Sequence, residues 1–249
     1  MSKLYKYIFK RLLSLIPILI GISFISFALI YFTGGDAVAV RYEAIGGVLS
    51  PELISQKREE LGLNRPFIIQ YLDWLLGVLK GDMGISYVSG KPVFIYILSK
   101  LPNTLLLSIS SLIVTILISM PLGILSAIKS DSIFDHIIKT VSFIGNSLPN
   151  FFVALVLSYI LALRLKLLPV ISQGTGIKSL ILPTLTLSLA MSAKYIRQIR
   201  ALVIAELSKP YVIGARARGI KENTVIFFNV LRLTSLTIIT LMALSFGSL

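Results

Sequence analysis

The sequence predicts an all-α polytopic membrane protein, and three observations carry that reading. Hydrophobic residues make up 55% of the 249 and charged residues 14%, against about 25% charged in an average soluble domain. The apolar residues fall in long uncharged blocks, and about 20 such residues suffice for a helix to cross a bilayer. The net charge of +13 sits beside those blocks and not on an amphipathic soluble surface, which excludes nucleic acid as a partner.

The first block is Leu12–Thr33, preceded by Lys3, Lys6, Lys10 and Arg11. It is too long for the apolar core of a cleaved leader and ends in Tyr31-Phe32-Thr33, so it reads as a retained first span. Further spans are expected near 101–128, 140–163, 179–204 and 224–249. The fourth is short in uncharged residues, but Lys178 and Lys194 can snorkel from its ends. Leu233–Leu249 is still uncharged where the sequence stops, so a fragment with about five spans is expected. The chain divides into 1–33, an N-terminal flank and first span; 34–100, a polar lobe; and 101–249, a core containing a polar loop at 205–223.

Orientation follows from Lys and Arg in short loops. With the N-terminus inside, segments 1–11, 129–139 and 194–232 hold four, two and eight basic residues. The short outer loop 164–178 holds three, Arg164, Lys166 and Lys178. The long segment 34–100 balances seven basic with seven acidic residues. A cytoplasmic N-terminus is therefore expected, with 34–100 outside. That lobe is helical: Ser50-Pro51-Glu52 opens one short helix and Gly62 closes it. After Pro66, an apolar stripe of Ile68, Tyr71, Leu72, Leu75, Leu76 and Leu79 marks an amphipathic helix that Gly81 ends.

Enzyme chemistry finds no support. Cys is absent and His136 is the one histidine, so no thiolate or histidine metal site is available. Gly174-Thr-Gly-Ile-Lys-Ser179 resembles a phosphate loop only superficially, because Ile177 stands where Gly must precede Lys. All eleven acidic residues lie outside the four complete spans: seven in 34–100, then Asp131, Asp135, Glu206 and Glu222. That disfavours an ion-coupled carrier, which commonly holds a carboxylate in the membrane. A non-conducting scaffold subunit is a further alternative.

The polar residues inside the spans are mild and suit helix–helix packing. The best passage candidates are Asn146-Ser147-Leu-Pro149-Asn150, where proline frees a backbone carbonyl beside two amides, with Thr184 and Ser188. Lys194, Arg197 and Arg200 recur every three residues. They read as a positive flank of the fourth span, an inner-mouth rim or a contact with anionic lipid.

The most informative stretch is Ala205–Phe228. Ser208 is placed to cap a helix, Pro210 suits its first turn and Gly219 its left-handed stop. Between them, Tyr211, Gly214, Ala215, Arg216, Ala217 and Arg218 mix small residues with cations. A capped, half-apolar helix exceeds what a turn requires, and its small residues suit close docking against a partner.

Tyr211-Val-x-x-Ala215-Arg-Ala-Arg-Gly219, followed by Val230-Leu-Arg232, resembles the cytoplasmic signature of ABC-importer permeases. More narrowly, it resembles the subfamily for dipeptides, oligopeptides and nickel. Tyr7-x-x-x-Arg11-Leu-x-x-x-Ile16-Pro17, Leu61-Gly-Leu-x-x-Pro66…Gln70-Tyr71-Leu-x-Trp74…Gly81-Asp-x-Gly84-x-Ser86 and Ser147-Leu-Pro149 agree. Ile213-Gly214 stands where the general motif has Glu-Ala. The resemblance implies a type I importer permease fold with about five of six spans, in the bacterial plasma membrane. It implies a second homologous permease subunit, two cytosolic ATPase subunits and an extracytoplasmic binding protein. It also implies that 208–219 is the ATPase-coupling element. No cofactor is expected on this chain, and ATP and Mg belong to the ATPase subunits.

Overall fold

The computed structural model describes residues 3–33, 38, 50–86, 89–169 and 177–247. Gly174–Gly176 of the phosphate-loop look-alike and most of 34–49 lie outside these. Helix α1 is Lys3–Phe32, α2 Pro51–Glu60, α3 Phe67–Leu79 and α4 Val93–Ile128. Helix α5 is Ile133–Ser147 and α6 is Asn150–Arg164, π-wound from Ser158. Helix α7 is Ile177–Leu207 and α8 is Pro210–Ala217. Helix α9 is Glu222–Phe246, π-wound over Val225–Val230. Among the described residues the only β pairing is an isolated bridge between Ile85 and Pro92. The chain is an all-α, multi-span membrane protein.

Among the described residues four helices are long and apolar enough to cross a membrane: Tyr5–Phe32, Val93–Ile128, Lys178–Leu207 and Glu222–Phe246. The block at 140–163, expected as one helix, is instead the pair α5 and α6, bent by 102°. Proline explains the break. Pro149 cannot continue the hydrogen-bond ladder and forces the residue before it out of the helical region; Leu148 is extended at ψ 132°. Counted as one span, the pair brings the total to five.

The described residues form two compact units, Met1–Lys100 and Leu101–Leu249. In the first, the lobe helices begin and end where their sequence signals stand. Ser50 caps α2, its hydroxyl accepting from the Leu53 N–H. Gly62 and Gly81 take φ of +69° and +88° after α2 and α3. Helix α3 packs on α1 through an aromatic seam. Phe24 and Phe27 of α1 meet Phe67 and Tyr71 with ring centroids 5.1–5.7 Å apart, mostly edge to face, and Trp74 lies 5.8 Å from Phe27. The Tyr71 hydroxyl pairs with Ser23 Oγ at 2.9 Å and is 5% exposed. Of the predicted stripe, Tyr71 lies in the seam and Leu75 is half-buried, while Ile68, Leu72, Leu76 and Leu79 stay exposed. Aromatic rings bury more surface and add about 0.5–1.5 kcal/mol per pair beyond burial, so Phe67, Tyr71 and Trp74 take the contact.

In the second unit α7 is the central helix, packed against α5, α6, α8 and α9. Small residues allow the close approaches. A Cβ on Gly123 of α4 would stand 2.9 Å from Ile199 Cβ and 3.0 Å from the Ile196 carbonyl oxygen. One on Gly145 of α5 would stand 3.1 Å from Ala193 Cβ. Ser108, Ser111, Thr115, Ser119 and Ser126 make a buried stripe along α4, as packing of helices in lipid favours.

Candidate functional site

The polar loop folds as an amphipathic helix hung from the end of α7. Pro210 is its first residue. Lys209, not Ser208, occupies the capping position, without a side-chain cap. Ser208 instead donates back to the Ile204 and Ala205 carbonyls, within α7. The far end agrees with its sequence signal. Gly219 takes φ +75°; its N–H reaches the Arg216 carbonyl at 2.9 Å, and the Ile220 N–H reaches that of Ala215 at 3.2 Å. These two bonds make the left-handed stop that glycine permits.

One face of α8 belongs to the chain's own core. Val212 is fully buried and Ala215 is 1% exposed, in a cluster with Val203, Val225, Ile226 and Val230. Ala215, expected to face a partner, is thus occupied internally. The opposite face carries Ile213, Ala217 and Arg218, all exposed. A Cβ added at Gly214 meets no atom within 4 Å. Polar bonds brace the helix at both ends. The Tyr211 hydroxyl donates to Glu206 Oε1 at 2.9 Å, and Lys209 Nζ meets Glu206 Oε2 at 2.8 Å. Burial, and then the Glu206 bond, push the Tyr211 hydroxyl up to about 12, so it remains a neutral donor. Arg216, expected to reach a partner, is engaged by Glu222 through bonds of 2.5 and 3.0 Å.

The helix from which α8 hangs is itself fixed by a buried ion cluster. Asp135 of α5 is fully buried. Arg200 of α7 grips it with Nε on Oδ1 and Nη2 on Oδ2, both at 2.7 Å. Ser126 Oγ donates to Oδ1 at 2.5 Å, the Asp131 N–H to Oδ2 at 3.0 Å, and Lys139 Nζ stands 3.1 Å from Oδ2. Residues of α4, the α4–α5 turn, α5 and α7 therefore meet on one carboxylate. Sequence reasoning counted Asp135 only as a loop acid. The signal was Ser132-x-x-Asp135, a helix-start pattern in which the Asp135 N–H donates to Ser132 Oγ at 3.3 Å.

The candidate passage residues divide into two groups. Thr184 is buried and pairs with Ser110 Oγ at 3.1 Å; Ser188 is fully buried and donates to its own helix at Leu185. Both are packing groups within this chain. Asn146, Ser147, Pro149 and Asn150 are exposed at the α5–α6 break. Ser147 bonds back to Phe143, while neither asparagine side chain has a hydrogen-bond partner among the described residues. The basic triplet divides as well: Arg200 is held by Asp135, and Lys194 and Arg197 are exposed. Among the described residues no three His, Cys, Asp or Glu are grouped to hold a metal ion.

Comparison with known proteins identifies the family of this multi-span bundle. Residues 119–249 match the family described as binding-protein-dependent transport system inner membrane component. Residues 4–108 match the corresponding N-terminal membrane component family. The Metal-staphylopine import system permease protein CntB of Staphylococcus aureus (strain NCTC 8325 / PS 47) is 35% identical over 92% of this chain and 73% of its own length. The Oligopeptide transport system permease protein AppB of Bacillus subtilis (strain 168) is 37% identical over 97% of this chain and 79% of its own. The Nickel import system permease protein NikB of Staphylococcus aureus (strain MRSA252) is 34% identical over 98% and 73%. The likeness to import and transport permeases supports a transmembrane translocation-pathway role for this chain, as a non-enzymatic transport subunit. Their architecture implies a paired permease, ATPases and a binding protein. The chain belongs to the family of inner membrane components of binding-protein-dependent transport systems, the ABC-importer permeases.

Proposed function

We propose that this chain forms half of the translocation pathway of an ATP-driven importer and is driven through α8 by a cytosolic ATPase. The observation that carries the coupling is the two-sided α8. Val212 and Ala215 anchor it in the chain's own core, while Ile213, Gly214, Ala217 and Arg218 face outward from a helix too short to fold alone. Such a helix transmits force, because a push on its outer face reaches α7 and α9 through packed side chains. The partners are a second homologous permease subunit, two cytosolic ATPase subunits and an extracytoplasmic binding protein. The cargo is a peptide or a nickel or other metal chelate, the classes named for the relatives. The N-terminus and α8 are cytoplasmic and the 34–100 lobe is outside.

A photo-crosslinking residue at Ala217 tests the coupling in the purified complex. It is expected to give an adduct of permease plus ATPase mass, while the same residue at Phe227, exposed on α9, gives none. Absence of an ATPase adduct from both Ala217 and Ile213 would sink the reading. For orientation, Gln56→Cys is expected to react with an impermeant thiol reagent in intact cells and Lys221→Cys is not; the reverse pattern overturns it.

A further inference from the structure

Helix α3 meets α1 along the middle of a span and not at its end. The Tyr71 hydroxyl pairs with Ser23 Oγ at 2.9 Å and reaches the Ile20 carbonyl at 3.3 Å. The rings of Phe67, Tyr71 and Trp74 meet Phe24 and Phe27. These α1 residues lie inside the uncharged run Leu12–Thr33, which Lys10 and Arg11 precede and Asp36 follows. That run makes about 33 Å of helix, little more than a hydrocarbon core about 30 Å thick, so its level in the membrane is fixed. Phe27 stands six residues from Thr33 and Ser23 ten, about 9 and 15 Å along the helix. For the contact to lie in water, the core would have to take in Lys3, Lys6, Lys10 and Arg11 instead, and cations are costly there.

Helical spacing sorts the side chains of α3 into three faces. Phe67, Tyr71 and Trp74 meet α1. Ile68, Ile69, Leu72, Leu76 and Leu79 are all exposed. The third face is polar, and the chain folds back over it: Gln70 donates to the Leu63 and Arg65 carbonyls, Asp73 pairs with Arg65 at 2.9 Å, and the Gly77 carbonyl accepts from the Asp82 N–H at 2.9 Å. Asp73 is the only charged residue of the helix. A broad apolar face with one polar edge is the form of a helix lying in a membrane interface. The apolar surface is continuous with that of the span: Phe24, which Phe67 and Tyr71 contact, also lines a groove on α1 with Ile25, Ala28, Leu29 and Phe32.

We propose that α3 is embedded in the leaflet at the Thr33 end of α1, with Ile68, Ile69, Leu72, Leu76 and Leu79 against lipid acyl chains. The occupant of that face is lipid because the helix is pinned 9 Å or more along a spanning helix, and apolar side chains at that depth meet hydrocarbon. The polar edge, with Gln70 and Asp73, turns toward the headgroups. Part of 34–100 is then a brace for the first span inside the membrane, and the remainder stands in water. The inference needs α1 to span. It goes beyond the coupling reading and is independent of it, and of which leaflet is the outer one.

Trp74 is the chain's single tryptophan, so the native protein carries its own depth probe on α3. The purified full chain is placed in phosphatidylcholine vesicles, with or without phospholipid brominated midway along its acyl chains. Trp74 emission is expected to be blue-shifted, strongly quenched by the brominated lipid and weakly by acrylamide. The reference is Trp74→Phe with Gln56→Trp, because Gln56 is exposed on α2; it is expected to show the opposite pattern. The same pattern at both sites overturns the proposal, as does quenching of Trp74 by acrylamide alone. A second measurement tests whether protein covers the face. In the reconstituted complex, a photo-crosslinking residue at Leu76 is expected to add the mass of one phospholipid. An adduct with the binding protein or with either permease, or no lipid adduct at all, overturns the proposal. Neither readout involves α8, so a missing ATPase adduct at Ala217 would sink the coupling reading and leave this one standing.

Discussion

Two of the polar interruptions in this apolar chain, the 205–223 loop and the 146–150 break, solve the problem of their polar groups in opposite ways. In the 205–223 loop the groups are paired within the chain: Tyr211 and Lys209 with Glu206, Arg216 with Glu222, and the last turn of α8 with the Gly219 stop. At the 146–150 break, the asparagine amides are exposed and have no partner among the described residues. A loop that satisfies itself is a preformed rigid body, suited to receive a push from another protein. A break that leaves amides open on the surface of an apolar bundle needs water or another chain to complete it, as a passage does. The proposed roles of the two regions, coupling and passage, follow from that difference.

The largest expected effect comes from cutting the anchor beneath the loop. Asp135→Ala leaves the half-buried Arg200 without its carboxylate partner, and breaking a pair with a buried member costs up to about 3–5 kcal/mol. The purified chain should lose thermal stability and accumulate poorly. Asn146→Ala, at the break, should leave stability within about 0.5 kcal/mol of native, measured on the same melt. Equal losses at the two positions would erase the comparison.

A smaller effect separates the two faces of α8. Ala215→Trp drives a large group into a filled core, and overpacking costs about 1–3 kcal/mol. Gly214→Trp enters open space, so its chain should accumulate as native. The check is abundance of folded permease by size-exclusion chromatography. The smallest effect belongs to Arg216→Ala. Its pair with Glu222 is exposed on both sides, and such pairs contribute about 0–1 kcal/mol. A large loss of stability there would mean that the loop depends on this bond and is less self-sufficient than its packing indicates.

Much of this was legible in the residues. Uncharged block length gave the spans, because lipid demands about 20 apolar residues whatever their identity. Ser50, Pro210, Gly62, Gly81 and Gly219 marked helix ends, because capping and left-handed geometry admit few residue types. What escaped was set by tertiary contact. Periodicity put Leu72 and Leu76 on a stripe with Tyr71, but only the position of α1 decides which edge of that stripe is buried. Pro149 pointed to a freed carbonyl, while the 102° bend depends on how α5 and α6 each pack on α7. Ala215 is small for its own core, and a small residue looks the same from sequence whether it meets its own chain or another. Asp135 and Arg200, 65 residues apart, carry no local sign that they meet.

The central claim is that the outer face of α8 is where the ATPase acts. It is tested most directly by Gly214→Trp in the purified complex of both permeases, both ATPases and binding protein. ATP hydrolysis is measured with and without loaded binding protein. The account predicts that the variant complex contains a normal amount of this chain and hydrolyses ATP at a rate that loaded binding protein no longer raises. Stimulation equal to that of the native complex would contradict it, because a tryptophan cannot be added to a tight docking face without consequence.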